Sequence, residues 1–295
     1  MKIYLFPNLS KTNCERYTAA ACEILHDSGN KLYMSLEYVY VFGDRLPYVN
    51  FDDEDKCISA CDIIIAVGGD GTILKCSLKS SKFSKPILGI NCGRLGFMAS
   101  LEHSQLDLLK NLNSGNYTLS KRMMLKACIY SNDGEKTEFS ALNDVTVSKS
   151  DDCKIADFEV SKGEHIISSL RADGVIFSTA TGATAYSMSA GGPIIEPEME
   201  CIEFTQICPH SLFARSMILS ADSVVSVKCH TNNMSHVYVF VDGNKVHKLT
   251  NGDKVVVEMS EYSVEIIDIS GGSFFSSVNN KLMQPLKEVS EEVER

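Results

Sequence analysis

The chain has 295 residues, 44% of them hydrophobic and 22% charged, with a formal net charge of −10. That length suits two domains, and the acidic balance argues against wrapping a nucleic acid backbone, which needs clustered Lys and Arg. No stretch approaches the roughly 18 apolar residues of a membrane helix, and residues 1–7 hold too few for a secretory signal core, so a soluble cytoplasmic protein with no nucleic-acid or membrane partner is expected.

In chain order, residues 3–6 read as a strand, 12–26 as a helix, 63–67 as a strand buried on both faces, and 86–91 as another strand. Residues 101–112 read as an amphipathic helix that stops near Asn113 and Gly115. This βαβ rhythm predicts an α/β N-terminal domain over 1–120 with a doubly wound, mostly parallel sheet. The pattern then changes: Met123, Leu125, Ala127 and Ile129 alternate with other residues, and the turn Asn132-Asp-Gly134 follows. Short strands near 142–147, 155–160, 175–179, 224–228, 237–242 and 254–258, with turns at Asp242-Gly-Asn244 and Asn251-Gly-Asp253, predict an all-β C-terminal domain over 121–270. Residues 271–295 form a third segment, ending in a charged tail at 288–295. The eleven cysteines include no C-x-x-C pair, which favours reduced thiols over disulfides or a zinc site.

The chemistry concentrates at strand exits. Gly68-Gly-Asp-Gly-Thr72 follows the apolar run 63–67, and its glycines can take positive φ and admit a ligand to the backbone. A helix beginning near Ile73 would turn free N–H groups toward an anion, so Gly68, Gly69 and Thr72 are candidate phosphate contacts. An acid beside phosphate is repelled unless a metal or a proton transfer gives it a role, so Asp70 points to phosphoryl transfer. Asn91-Cys-Gly-Arg-Leu-Gly-Phe97 follows a second strand, where Arg94 offers positive charge and Phe97 can cover an aromatic ligand.

The stretch 171–193 is rich in hydroxyls and glycines. Thr179, Thr181 and Thr184 are candidate donors and acceptors, Gly182 removes an obstacle, and Tyr186 can stack on a base, which favours a nucleotide site over close helix–sheet packing. Asn143 and Asp144 can bind ribose hydroxyls or a metal, or simply form an Asx turn. Arg171 is a second candidate source of charge for phosphate.

Together, Gly68-Gly-Asp-Gly-Thr72, Gly93-Arg-Leu-Gly-Phe97, Asn143-Asp144, Asp173-Gly174 and the run from Thr179 to Gly192 occur in the order found in NAD kinases, and the chain resembles that family across both domains. The first motif alone is shared with diacylglycerol, sphingosine and phosphofructo-kinases; the run ending Thr-Ala-Tyr186 with Ser189 and Gly191-Gly192 is more particular. The resemblance implies transfer of the terminal phosphoryl group of ATP, or of polyphosphate, to the adenosine 2′-hydroxyl of NAD, giving NADP. It implies Asp70 as general base and Mg2+ or another divalent metal carried mainly on the donor phosphates. It also places Gly71 and Phe97 along the dinucleotide, Asn143 and Asp144 at its ribose, and Asp173, Thr184, Ala185, Tyr186 and Ser189 around its bases and sugars. A homodimer or homotetramer, and a C-terminal segment returning to the first domain, are further implications.

The chain departs from the family at Ala180 and Ala183, where proline and serine are usual, at Asp144, where glutamate is usual, and at Ala172, where glycine is usual. A missing hydroxyl at Ala183 is expected to remove a hydrogen bond worth about 0.5–1.5 kcal/mol. The competing readings are a lipid kinase sharing the glycine–aspartate motif, which would need an apolar acceptor channel, and a non-catalytic NAD(P)-binding sensor, which has no use for Asp70. A dehydrogenase is disfavoured because Leu74 stands where the third glycine of G-x-G-x-x-G would follow Gly69 and Gly71.

Overall fold

The strand Ile63–Gly68 is buried at all positions, as expected of an uninterrupted apolar run covered on both faces. It lies inside a parallel sheet built by the first of two units that the chain forms, Met1–Ser120 with Glu265–Arg295; the second is Lys121–Val264. The computed structural model describes residues 1–93, 96–149, 155–230, 236–272 and 274–283.

The sheet of the first unit comprises β1 (Lys2–Pro7), β2 (Lys31–Ser35), β3 (Val49–Asp52), β4 (Ile63–Gly68) and β5 (Ile87–Asn91) in the spatial order β5-β4-β1-β2-β3, all parallel. Helices α1 (Cys14–Asp27), α2 (Val39–Phe42), α3 (Glu54–Ala60) and α4 (Asp70–Phe83) connect them. Parallel neighbours require such crossovers. The order reverses direction on either side of β1, the kind of place where open α/β sheets bind ligands beyond their strand ends. α3 illustrates how a short helix is held: Asp53 caps it by accepting from Lys56 N at 3.2 Å, and Glu54 and Asp55 sit in its first turn.

The run expected as a helix over 101–112 differs. Leu101–Glu102 (β6) pairs in parallel with β5, and His103–Ser114 is a 3-10 helix closed by Gly115 at φ 71°. Leu106, Leu109 and Leu112 are buried at intervals of three, which is the period of a 3-10 helix, so all three fall on one face.

The second unit is all-β and antiparallel. One sheet has the order β14-β13-β12-β9-β16-β17, from β9 (Asp144–Lys149), β12 (Gly174–Ser178), β13 (Cys201–Ile207), β14 (Met217–Ser220), β16 (Val237–Val241) and β17 (Asn244–Leu249). The other pairs β11 (His165–Ala172), β10 (Ala156–Lys162), β15 (Val225–His230) and β18 (Lys254–Asp268), and adds β7 (Thr118–Tyr130) and β8 (Lys136–Ala141). Both contribute to one core, in which Val147, Phe177, Phe204 and Val239 meet Phe158, Val160, Val227 and Val257. Phe177 and Phe204 stack with centroids 5.4 Å apart.

Strand β18 runs on to Asp268 without a break, so the chain re-enters the first unit at Glu265 and not at 271. There Ile266 pairs in parallel with Ile87, Ile267 and Ile269 join the core, and α6 (Phe274–Met283) follows. The charged tail at 288–295 lies outside the described residues. No helix among the described residues is long and apolar enough to cross a membrane.

Truncating Phe204, which is fully buried against Phe177, removes the centre of the all-β core. Phe204→Ala is expected to cost about 3–5 kcal/mol in denaturant unfolding; a loss below about 1 kcal/mol would show that the stacked pair is not central.

Candidate functional site

In the first unit the glycine–aspartate loop joins β4 to α4. The helix starts at Asp70, earlier than the sequence suggested, with Gly69 as its N-cap in an extended conformation. None of Gly68, Gly69 and Gly71 has positive φ, so handedness requires glycine at none of them. An added Cβ at Gly68 would overlap the Thr72 side chain, whereas nothing lies within 4 Å of the Cβ positions of Gly69, Gly71 and Gly93. Thr72 is 2% exposed and its hydroxyl faces the protein: Oγ1 accepts from Asn8 Nδ2 at 3.1 Å and from Gly69 N at 3.3 Å. It ties the end of β1 to the loop.

Asp70 is fixed from outside its own helix. Phe97 N donates to Oδ2 at 2.7 Å and Met98 N to Oδ1 at 3.2 Å, while Gly96 leaves the carboxylate room because any side chain there would collide with it. Asn91 organises the same loop, with Nδ2 donating to Gly93 O and Oδ1 accepting from Gly93 N, both at 3.1 Å. Phe97 is half-buried beside these groups.

These residues surround a cavity of about 440 Å³ lined by Asn8, Asp70, Gly71, Asn91 and Gly96 among others. Two cations also line it, Lys11 and Lys75. Neither was singled out from the sequence, because Lys11 sits in an unremarkable loop after β1 and Lys75 reads as a surface residue of α4. The period of α4 was the available signal: Lys75 lies one turn beyond Gly71. Arg94 lies outside the described residues. Arg171 belongs to the second unit and is paired with Asp157, through Nε at 2.9 Å and a terminal nitrogen at 3.2 Å.

In the second unit, Asp144 opens β9 and Asn143 directly precedes it. Asp242, which the sequence marked only as a turn, organises them: its carboxylate accepts from the backbone N–H groups of Leu142, Asn143 and Asp144 at 2.9, 2.8 and 3.1 Å. Asp242 sits at φ 48°, a left-handed conformation that Asp tolerates, and donates its own N–H to Asp144 O at 3.0 Å. Asp144 is 5% exposed and accepts from Thr146 Oγ1 at 3.0 Å. Burial, with Asp242 nearby, pushes its carboxyl up to about 6 despite that hydrogen bond. Asp173 pairs with Lys149 at 2.6 Å.

The hydroxyl-rich run is mostly turned inward. Thr179 Oγ1 donates to Leu142 O at 2.6 Å and accepts from Gly182 N at 3.0 Å, and Thr184 Oγ1 donates to Thr181 O at 3.2 Å. Gly182 presses on the Asn143 backbone where a Cβ would not fit. Ala180 and Ala183 are buried with Ile195 and Cys201, so the hydroxyl that Ala183 lacks would enter an apolar cluster and not a ligand site. Two polar atoms in this region are buried with no partner, Asn143 Oδ1 and Thr181 Oγ1. Buried polar groups are rarely left so. Helix α5 (Tyr186–Ser189) exposes Tyr186 and Ser189 and buries Ser187.

An α/β unit with a glycine–aspartate loop at a strand exit, followed by an antiparallel β unit whose loops are rich in hydroxyls, fits a phosphotransferase. Residues 11–117 match the model of the ATP-NAD kinase N-terminal domain and residues 142–269 that of the C-terminal domain. The NAD kinase of Natranaerobius thermophilus is 37% identical over 279 residues, covering 94% of this chain and 96% of the relative. That of Caldanaerobacter subterraneus subsp. tengcongensis is 33% identical over 285 residues, covering 96% and 99%. The chain belongs to the NAD kinase family. The fold agrees with yeast NADH kinase complexed with NADH (TM-score 0.86, 22% identity, 97% of this chain and 88% of that one). It also agrees with an NAD kinase from Archaeoglobus fulgidus in complex with ATP (TM-score 0.71, 21% identity, 96% and 99%).

The raised Asp144 carboxyl has a signed consequence. An acid that holds its proton more tightly when folded favours the folded state below its unfolded pKa, and that contribution is lost as pH rises through the folded value. Unfolding free energy should therefore carry an Asp144 contribution that falls from about pH 4 to about pH 6. Asp144→Asn should flatten this part of the profile in denaturant titrations across that range; superimposable slopes would contradict it.

Proposed function

We propose that this kinase transfers the terminal phosphoryl group of ATP, or of inorganic polyphosphate, to the adenosine 2′-hydroxyl of NAD, with Asp70 as general base. The observation that carries this reading is the Asp70 carboxylate in the glycine-lined cavity, held by the Phe97 and Met98 amides. Two fixed amides use one acceptor position on each oxygen and leave others for a hydroxyl, so the base is oriented before its substrate arrives. In a loose phosphoryl-transfer transition state the hydroxyl proton leaves late, so Asp70 need only align the nucleophile and take that proton.

Donor phosphates are assigned to the first turn of α4 and to the open backbone at Gly69, Gly71 and Gly93. Lys11 and Lys75 supply the local positive charge that the chain as a whole lacks. The cavity lining has one carboxylate, and the described residues hold no cluster of three His, Cys, Asp or Glu side chains. That donor set fits a divalent cation ligated chiefly by phosphate oxygens and water, which would neutralise charge on the transferring group. Two solved relatives support the ligand classes, one holding ATP and one NADH.

We assign the dinucleotide to the residues around Asn143 and Asp144, with Asp173, Thr184, Ala185, Tyr186 and Ser189 at its sugars and bases and Gly71 and Phe97 along it. The orphaned Asn143 Oδ1 and Thr181 Oγ1 support this reading as polar atoms in the same segments that have no partner within the protein. The homodimer or homotetramer implied by the family is part of the same proposal.

Asp70→Asn should lower kcat by about 10²- to 10⁴-fold, the usual worth of a general base, while calorimetric NAD affinity stays within about threefold. Unchanged turnover would remove Asp70 from the chemistry. Lys75→Met should raise the donor KM by about tenfold, for loss of a charge-assisted contact, and leave the NAD KM unchanged in initial-rate assays; equal effects on both substrates would reassign Lys75.

A further inference from the structure

Glu203 lies on β13 in the interior of the second unit and is 0% exposed. Its Oε1 accepts from Ser187 Oγ at 2.7 Å and from Thr205 Oγ1 at 2.8 Å, and Thr205 Oγ1 in turn lies 2.8 Å from Ser216 Oγ. Oε2 is buried with no partner. Burying an acid is unfavourable unless the site holds it for a reason, and a valine or leucine would serve β13 equally well if packing were its only task.

The contacts converge on one segment. Ser187 is the inward residue of α5, between Tyr186 and Ser189, and is itself 0% exposed. Gly192 N donates to Ser187 O at 2.9 Å, and a Cβ on Gly192 would overlap both Glu203 Oε1 and Ser187 Oγ. The turn before it needs Gly191 at φ 92°. The four-residue helix is too short to be stable alone. One carboxyl oxygen therefore fastens the helix from beneath, and the absence of a side chain at Gly192 lets the following turn close over it.

We infer that Glu203 is a positioning residue for the dinucleotide: through Ser187 it sets the orientation of α5, and with it the placing of Tyr186 and Ser189 against the base and sugar. This rests on the assignment of those two residues to NAD. Burial holds the Glu203 carboxyl above the usual carboxylate range, against the pull of the Ser187 and Thr205 hydroxyls, and Cys201 is the nearby titratable group on the same strand. An amide oxygen can accept the same two hydroxyl bonds, so glutamine is a faithful replacement and methionine is a replacement in volume only.

The test compares wild type, Glu203→Gln and Glu203→Met by calorimetry with NAD and by initial-rate kinetics. Expected are near-wild-type constants for the glutamine variant. For the methionine variant a rise of about tenfold in both the NAD Kd and KM is expected, the equivalent of one lost hydrogen bond, with kcat and the donor KM within about threefold. Should the methionine variant fail to fold, Ser187→Ala cuts the same link from the other side and should raise the NAD KM in the same selective way. A methionine variant with an unchanged NAD KM, or one whose only change is a lower Tm, would overturn the role and leave Glu203 as packing. Wild-type protein that neither binds NAD nor forms NADP would instead overturn the dinucleotide assignment, and the positioning role with it.

Discussion

Two backbone amides, those of Phe97 and Met98, hold the Asp70 carboxylate, and the first unit is arranged around making that possible. The donors come from the loop after β5, while the acid stands at the end of β4, so two adjacent parallel strands must end in register. Gly96 has to lack a side chain because the carboxylate occupies its space. Thr72 and Asn91 are buried polar residues whose hydrogen bonds brace the two loops from behind. A charge-assisted bond between an acid and an amide is worth about twice a neutral one, and here it also fixes direction. Preorganisation of this kind is paid for during folding and not at the moment of reaction.

The all-β unit solves a related problem by different means. Its loops carry many hydroxyls, and most are committed to neighbouring backbone: Thr179 to Leu142, Thr184 to Thr181 and Ser178 to the Asn143 carbonyl. Asp242 satisfies three successive amides at the start of β9 in the manner of a helix cap, although no helix is present. Few groups are left over, Asn143 Oδ1 and Thr181 Oγ1 among them, and they stand out for that reason. Glu203 does beneath α5 what Asp242 does beneath β9, holding a loop by its polar underside.

Much of this was legible in sequence. Continuous apolar runs such as 63–67 announce buried parallel strands, and β15 and the first part of β18, residues 254–258, were visible through their strand pattern. Strands β8, β11, β14 and β17 were not read, nor were β2, β3 and β13. β2 and β3 carry mixed polar residues, and β13 contains Glu203, which interrupts the pattern at a fully buried position. Glycine–aspartate and hydroxyl-rich motifs point to a site, yet they do not say which hydroxyls face inward, since that depends on the turn each residue occupies. Lys11 and Asp242 escaped because isolated charges in loops have no local signature, and Lys75 because its helical spacing from Gly71 was not followed; the closing of the chain brings them to a cavity or a row of amides. The 3-10 helix at 103–114 was a matter of period, since leucines three apart also fit an α-helical face for two turns.

The first unit is built from both ends of the polypeptide. Ile266, Ile267 and Ile269, which complete its sheet edge and its core, follow the entire all-β unit in the chain. Synthesis from the N-terminus therefore presents the parallel strands β1 to β5 long before their last apolar partners exist, whereas the strands of residues 121–264 find most of their partners within their own span. The domain that starts first is finished last. An incomplete chain on the ribosome lacks Ile266, the partner of Ile87 on β5, and the core residues Ile267 and Ile269, until the segment that follows the all-β unit has been made.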